Sequence, residues 1–208
     1  MEPVILNHPF VSTQLSIIRN KDTKTKEFRE AISQLAMFLC YESMRNAETE
    51  DISVETPLTI TKCKKINDDK YVFVPILRAG LGMVDGIVKV FPTAKIGHIG
   101  LCRNEETLAP EKYYFKLPKD IQSKNVIIID PMLATGGSAC DAIKMIKEEG
   151  VKNIKFLCII AAPEGLKKVH ETHPDVEIYS ASLDDHLNEK GYIVPGLGDA
   201  GDRIFGTI

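Results

Sequence analysis

The chain has 208 residues, of which 44% are hydrophobic and 26% charged, with 14 Gly and 11 Pro. That make-up suits one folded domain with a sizeable core and excludes disordered, collagen-like and large multidomain readings. Twenty-six basic against 29 acidic residues leave a net charge of −3, so nothing draws the whole molecule to nucleic acid or an anionic membrane, and any anion site has to be local.

Met1-Glu2-Pro3 offers no basic leader, and the longest clean apolar run, Phe156 to Ala162, is too short to cross a bilayer. A cytoplasmic protein without membrane contact is expected. Phe28, Ile32, Leu35 and Leu39 recur at steps of four, three and four, which puts them on one face of a helix. This helix belongs to an N-terminal helical extension reaching to about residue 60; the nearby Lys21, Lys24, Lys26 and Arg29 read as a solvated helix entry.

From residue 71 the texture becomes strand, Gly-rich turn, helix: Tyr71 to Leu77, then Arg78-Ala79-Gly80-Leu81-Gly82, then Met83 to Val90. Ala94 to Leu101 is the next apolar run. The stretch from Arg103 to Leu117, polar at first and then aromatic at Tyr113, Tyr114 and Phe115, reads as a hairpin or flap of about 103–118. Val126 to Ile129, a helix from about Ser138 to Glu149 stopped by Gly150, Ile154 to Ile160, a helix from Glu164 to His170 and Val176 to Ala181 continue the alternation. The expectation is an α/β fold, one domain over 1–208 with a core of about 61–208. Its parallel sheet carries helices on both faces, and its ligands lie at the carboxyl ends of the strands.

The cysteines, Cys40, Cys63, Cys102, Cys140 and Cys158, contain no C-x-x-C and read as buried thiols. His170-Glu171-Thr172-His173 spaces its histidines by three, where H-E-x-x-H needs four to place both on one helix face, and reads as solvated.

Chemistry concentrates after the apolar run ending at Ile129, in Asp130-Pro131-Met132-Leu133-Ala134-Thr135-Gly136-Gly137-Ser138. Consecutive glycines let backbone N–H groups close around an anion, the following helix N-terminus adds partial positive charge, and the Thr135 and Ser138 hydroxyls add donors. A phosphate cradle is expected. No lysine lies between Asp130 and Lys144, so it is not the Walker A loop of nucleotide triphosphatases. Asp130 stands about where the sugar of a 5′-phosphorylated ribose would lie and can accept from its 2′- and 3′-hydroxyls.

An apolar strand, an acid and T-G-G-[ST] resemble the signature of the phosphoribosyltransferases, and the variant here is similar to the uracil branch of that family. Val74 to Met83, Arg103-Asn104-Glu105-Glu106-Thr107-Leu108, Tyr192 to Arg203 and His8-Pro9 extend the resemblance over nearly the whole chain. It implies a type I-like, Rossmann-like core and transfer of phosphoribosyl from 5-phosphoribosyl 1-diphosphate (PRPP) to N1 of uracil, giving UMP and diphosphate. PRPP contacts are then expected from Arg78, Arg103, the Asp130 to Ser138 string and Asp199, with Arg78 as a bidentate diphosphate clamp. Arg103, Asp130 and Asp199 are the expected catalytic residues. Uracil contacts are expected from Ile193, Gly198, Asp199 and Ala200 within a loop of about 191–206, whose small residues permit close approach to a flat base edge. Magnesium should enter with PRPP and keep water and substrate oxygens as ligands, because Pro131 stands where many relatives place a second acid.

The resemblance further implies a homodimer or higher homo-oligomer, and GTP as a possible effector acting through the basic run at Lys21 to Arg29. Two other readings remain on the sequence. An RNA-binding regulator on the same fold would need a coherent basic face, against which the net charge speaks. A transferase for another base, such as orotate, would need a cation for the extra carboxylate, and within the base segment only Arg203 could supply it. Gly196-Leu197-Gly198-Asp199-Ala200-Gly201 satisfies G-x-G-x-x-G, but it follows Pro195 with no room for a helix and second strand, and so reads as a loop.

Overall fold

The structure, a computed structural model, describes residues 2–103 and 110–207, with the side chains of Arg103, Pro110 and Glu111 outside the description. In chain order, strand β1 (Val4–Ile5) precedes helices α1 (Pro9–Arg19) and α2 (Thr25–Ser43), then strands β2 (Thr49–Glu55), β3 (Ile60–Ile66) and β4 (Tyr71–Leu77). Helix α3 (Leu81–Val90), strands β5 (Lys95–Ile96), β6 (His98–Arg103), β7 (Pro110–Lys116), β8 (Asn125–Ile129) and β9 (Met132–Leu133), and helix α4 (Gly137–Glu148) follow. Strand β10 (Asn153–Ala161), helix α5 (Pro163–Thr172), strands β11 (Glu177–Leu183), β12 (His186–Leu187) and β13 (Ile193–Val194), and helix α6 (Ala200–Phe205) complete the described chain.

The main sheet runs β1-β11-β10-β8-β4-β6-β7, with β5 beside β4 and β9 beside β10. Its pairings are parallel except for the β6–β7 hairpin. Strands buried on both faces read as continuous apolar runs. In β8, Val126 and Ile128 join one core, while Ile127 and Ile129 join the other. The first core packs under α4 and α5; the second lies beneath α1, α2, α3 and α6. The four apolar residues spaced along α2 are all fully buried there. A Cβ on Gly86 of α3 would fall 2.0 Å from Ser33 O, so the α2–α3 crossing requires a glycine.

Several expectations are corrected. Residues 49–60, expected within a helical extension, instead form with residues 61–66 of the expected core an antiparallel hairpin that pairs only with itself. Its strands bury only parts of Ile52, Val54, Cys63 and Ile66, too weak an alternation to stand out against their charged neighbours. Ala94 to Leu101 is two strands, β5 and β6, broken where the Gly97 N–H donates to Phe73 O at 2.9 Å. His173 is buried beside Cys140 O at 3.2 Å, not solvated, and burial lowers its pKa. Cys40, Cys140 and Cys158 are buried, but Cys63 is half-buried and Cys102 exposed. Among the described residues no helix is long and apolar enough to cross a membrane.

Candidate active site

At the end of β8 the chain leaves the sheet and returns. Asp130 N–H donates to Leu157 O at 3.1 Å. Pro131, which has no N–H to extend the ladder, offers its carbonyl to Ile159 and Ile160. Met132 and Leu133 then rejoin β10 as β9. Pro131 and Leu133 are therefore buried and hold the shape of the turn, whereas Asp130, Met132 and Gly137 are half-buried and Thr135 and Ser138 exposed.

The turn expected to cradle an anion runs from Ala134 to Ser138. Gly136 takes φ +77° at the N-cap of α4, and Gly137 starts the helix with its N–H 3.5 Å from Thr135 Oγ1. A Cβ on Gly137 would meet nothing nearer than Thr135 Oγ1 at 3.7 Å and Lys168 Nζ at 4.0 Å. Space is open there, and it is lined by a hydroxyl and an ammonium. Helix α5 approaches closely because Gly165 has no side chain: a Cβ there would sit 2.4 Å from Ala134 O.

Beside the cradle is a cleft of about 270 Å³ lined by Arg78, Ala79, Asp130, Met132, Tyr192, Gly198, Asp199, Ala200 and Gly201. Arg78 follows β4, with its guanidinium largely in solvent and 3.6 Å from Asp202 Oδ1. Gly80 allows this turn to sit against the end of β8, since a Cβ would lie 2.6 Å from Ile129 O. Burial pushes the Asp130 carboxyl up to about 7, against the opposing Met132 backbone hydrogen bond. Asp199 caps α6, accepting from Asp202 N–H at 2.9 Å. The segment read as a loop thus runs into a six-residue helix, with no second strand after it among the described residues.

Of the expected residues, Arg78, Asp130, Met132, Gly198, Asp199 and Ala200 share the cleft, and Thr135 to Ser138 stand beside it. Ile193 is not among the cleft-lining residues. It is buried in β13, with its carbonyl against the Gly196 turn. Arg103 ends β6, and the role expected of its side chain lies outside the described residues, as does the 104–109 part of the flap.

Sequence reasoning missed the supports of this site. Arg19 binds Asp184 through both terminal nitrogens, at 2.8 and 2.6 Å, and donates to Gly196 O at 2.8 Å, while Asp184 accepts from Gly196 N–H at 2.9 Å. Burial would raise Asp184, but Arg19, Ser182 and the Gly196 N–H together hold it below its ordinary range. Nothing in the local sequence signals a pair 165 residues apart. Arg203 does not face the cleft. It donates to Leu197 O at 2.6 Å, Asn20 O at 2.7 Å and Ile18 O, and lies 4.2 Å over the Phe28 ring. Its place beside an expected base loop gave no hint of this clamp. Gly191, 3.8 Å from Thr135 Cγ2 by its would-be Cβ, carries the Tyr192 segment over the cradle.

An anion cradle opening a helix, beside a cleft with one arginine and two carboxylates at the carboxyl ends of parallel strands, defines a phosphoribosyltransferase-type α/β protein. The family model for uracil phosphoribosyltransferase matches residues 4–207. A uracil phosphoribosyltransferase of Clostridium botulinum is 58% identical over 97% of both chains; one of Streptococcus mutans is 56% identical over 98% of this chain and 97% of its own. The AQ2163 protein of Aquifex aeolicus superposes with a TM-score of 0.92 at 41% identity, over 98% of each chain. An adenine phosphoribosyl transferase of Trypanosoma brucei, 11% identical over 95% of this chain and 87% of its own, shares the fold at a TM-score of 0.59. The chain belongs to the uracil phosphoribosyltransferase family.

Proposed function

We infer that this enzyme transfers the phosphoribosyl group of PRPP to N1 of uracil, releasing diphosphate and UMP. The observation that carries the reading is the convergence of Arg78, Asp130 and the Gly198–Gly201 segment on one cleft next to the Thr135–Ser138 cradle. The cradle takes the 5′-phosphate with backbone N–H groups and hydroxyls. Asp130 accepts from the ribose hydroxyls. Arg78 faces the diphosphate and neutralises charge as the C1–O bond breaks through an oxocarbenium-like state. In α6, the first backbone N–H groups have no intrahelical acceptor, so Ala200 and Gly201 can donate to uracil oxygens while the neighbouring backbone accepts from N3–H. Cytosine reverses part of that pattern and leaves a buried mismatch of roughly 1–3 kcal/mol per unpaired group. Asp199 serves binding by fixing α6.

Among the described residues no three potential metal ligands gather; a magnesium ion would be carried in by the diphosphate and would keep substrate oxygens and water as its ligands. When bound, it supplies charge neutralisation on the leaving group. Self-association is part of the same proposal: the β2–β3 hairpin holds Leu58 95% and Ile60 68% exposed, an apolar tip suited to a second copy. An effector role for GTP would rest on Lys21, Lys24 and Lys26, which are exposed, whereas Arg29 is held by Ile204 O. A cytoplasmic setting accords with substrates that carry phosphate.

Incubation with PRPP, Mg²⁺ and individual bases tests the reaction. Uracil should yield UMP and stoichiometric diphosphate, with little product from cytosine, orotate or purines. A purine or orotate nucleotide as main product would overturn it.

A further inference from the structure

We propose that Lys168 of α5 is a fourth element of the 5′-phosphate site, a cation that reaches the cradle from a neighbouring helix. The proposal rests on the reading of Thr135–Ser138 as the phosphate cradle. Gly165 carries the geometry: with no side chain, it lets α5 lie against the carbonyls of Leu133 and Ala134, which a Cβ would meet at 2.8 and 2.4 Å. One turn further along the same helix face stands Lys168. Its Cβ is 3.2 Å from where a Gly136 Cβ would be, and its Nζ is 4.0 Å from the corresponding point on Gly137. The stem thus packs over one cradle glycine and the ammonium arrives at the other, on the side where Thr135 Oγ1 also points.

The charge is available for a ligand. Lys167 lies 3.9 Å from Glu171, but Lys168 forms no salt bridge with a described residue. Its carbonyl accepts from Thr172 Oγ1 at 2.8 Å, and its charge reaches the Cys140 thiol, whose burial-raised pKa it partly offsets. The helix N-terminus and the threonine supply only partial charges, whereas the 5′-phosphate carries between one and two negative charges. A whole positive charge placed at the open side of the cradle completes the neutralisation, and a flexible ammonium suits a point contact with one phosphate oxygen. The sequence does not announce this residue, because it lies 30 positions beyond Ser138 in a run that reads as an ordinary amphipathic helix.

Lys168→Met keeps the stem and removes the charge. Relative to the unaltered protein, it should weaken UMP binding about 10-fold and raise the KM for PRPP similarly. Uridine, which has the base and ribose but no phosphate, should bind unchanged. Lys168→Arg should restore most of the UMP affinity, and the salt dependence of UMP binding should become shallower in the methionine variant. The phosphorus resonance of bound UMP gives a readout that a purely structural role would not move: its titration midpoint should rise when the ammonium is gone. Because Lys168 is exposed, the melting temperature should stay within a few degrees. Gly137→Val serves as the control on the cradle. If it abolishes UMP binding while Lys168→Met leaves both affinity and phosphorus titration unaltered, Lys168 is overturned and the cradle stands. If Gly137→Val binds UMP normally, the cradle is misplaced and the proposal falls with it.

Discussion

At the residue scale, Asp130, proposed to hold the ribose hydroxyls, carries a cost to stability. Its folded pKa of about 7 lies above the ordinary 3.8, so the fold disfavours the ionised form. That penalty is absent below about pH 4, grows between the two values and is complete above about 7. Asp130→Asn should therefore stabilise the protein at pH 8–9 by on the order of 1–3 kcal/mol, after screening by water in the cleft, and by almost nothing at pH 4. Denaturant unfolding at the two pH values checks this. Ribose hydroxyls favour the carboxylate, so PRPP should bind more tightly as pH rises through about 7, and the asparagine variant should lose that dependence along with most of its turnover. Gly137 poses the opposite case. A side chain there meets no protein atom closer than 3.7 Å, so Gly137→Val should keep its melting temperature within a few degrees yet lose PRPP use; a folded variant with normal kinetics would contradict the assignment.

Among the elements, the Gly196 turn beside the cleft is fixed from behind by the Arg19–Asp184 pair, which ties the end of α1 to the segment after β11 and to both backbone groups of Gly196. Asp184→Ala would leave a partly buried guanidinium without its carboxylate, and a loss of about 3–5 kcal/mol is expected. Asp184→Asn should be milder and should raise the KM for uracil more than that for PRPP. The depressed pKa of Asp184 gives stability that is complete above the ordinary carboxylate value and disappears as pH falls through the folded value, so the asparagine variant should lose the acid limb of the stability profile. Much of the central architecture was legible: Tyr71 to Leu77 and Val126 to Ile129 are apolar runs that only a doubly covered strand explains, and both are strands. The turn from Thr135 to Ser138 that opens α4 was legible because glycine and hydroxyl residues leave a local pattern. Arg19, Asp184 and Gly165 were not, since each matters through a neighbour distant in sequence, and the cation proposed at Lys168 is hidden for the same reason. From the sequence Asp199 reads as a ligand-binding acid and Arg203 as a cation for another base, whereas the structure shows a helix cap and a carbonyl clamp, which look like loop residues until their partners are in place.

Over the whole molecule, the sheet separates two kinds of surface. Its carboxyl edge holds the cleft, while the β2–β3 hairpin projects residues that no described element covers. Replacing Leu58 and Ile60 together with Ser and Thr should leave the monomer fold intact, since neither contributes to the buried cores. If the hairpin joins copies, the double variant should shift sedimentation toward the monomer at micromolar concentration while its circular dichroism is unchanged. An unaltered sedimentation profile would remove the hairpin from the assembly. The same measurement with and without GTP decides whether that nucleotide acts on assembly.

The carbonyl clamp at Arg203 has a bearing on how such a protein could change its diet. Its guanidinium is occupied by three main-chain oxygens and an aromatic face, and among the described lining residues only Arg78 brings a positive charge to the cleft. A descendant that came to favour a carboxylated pyrimidine could not recruit Arg203 without loosening the seam between its first helices and its last. It would have to acquire a fresh cation at a position such as Tyr192, so the preference for an uncharged base is safeguarded by architecture as well as by contact.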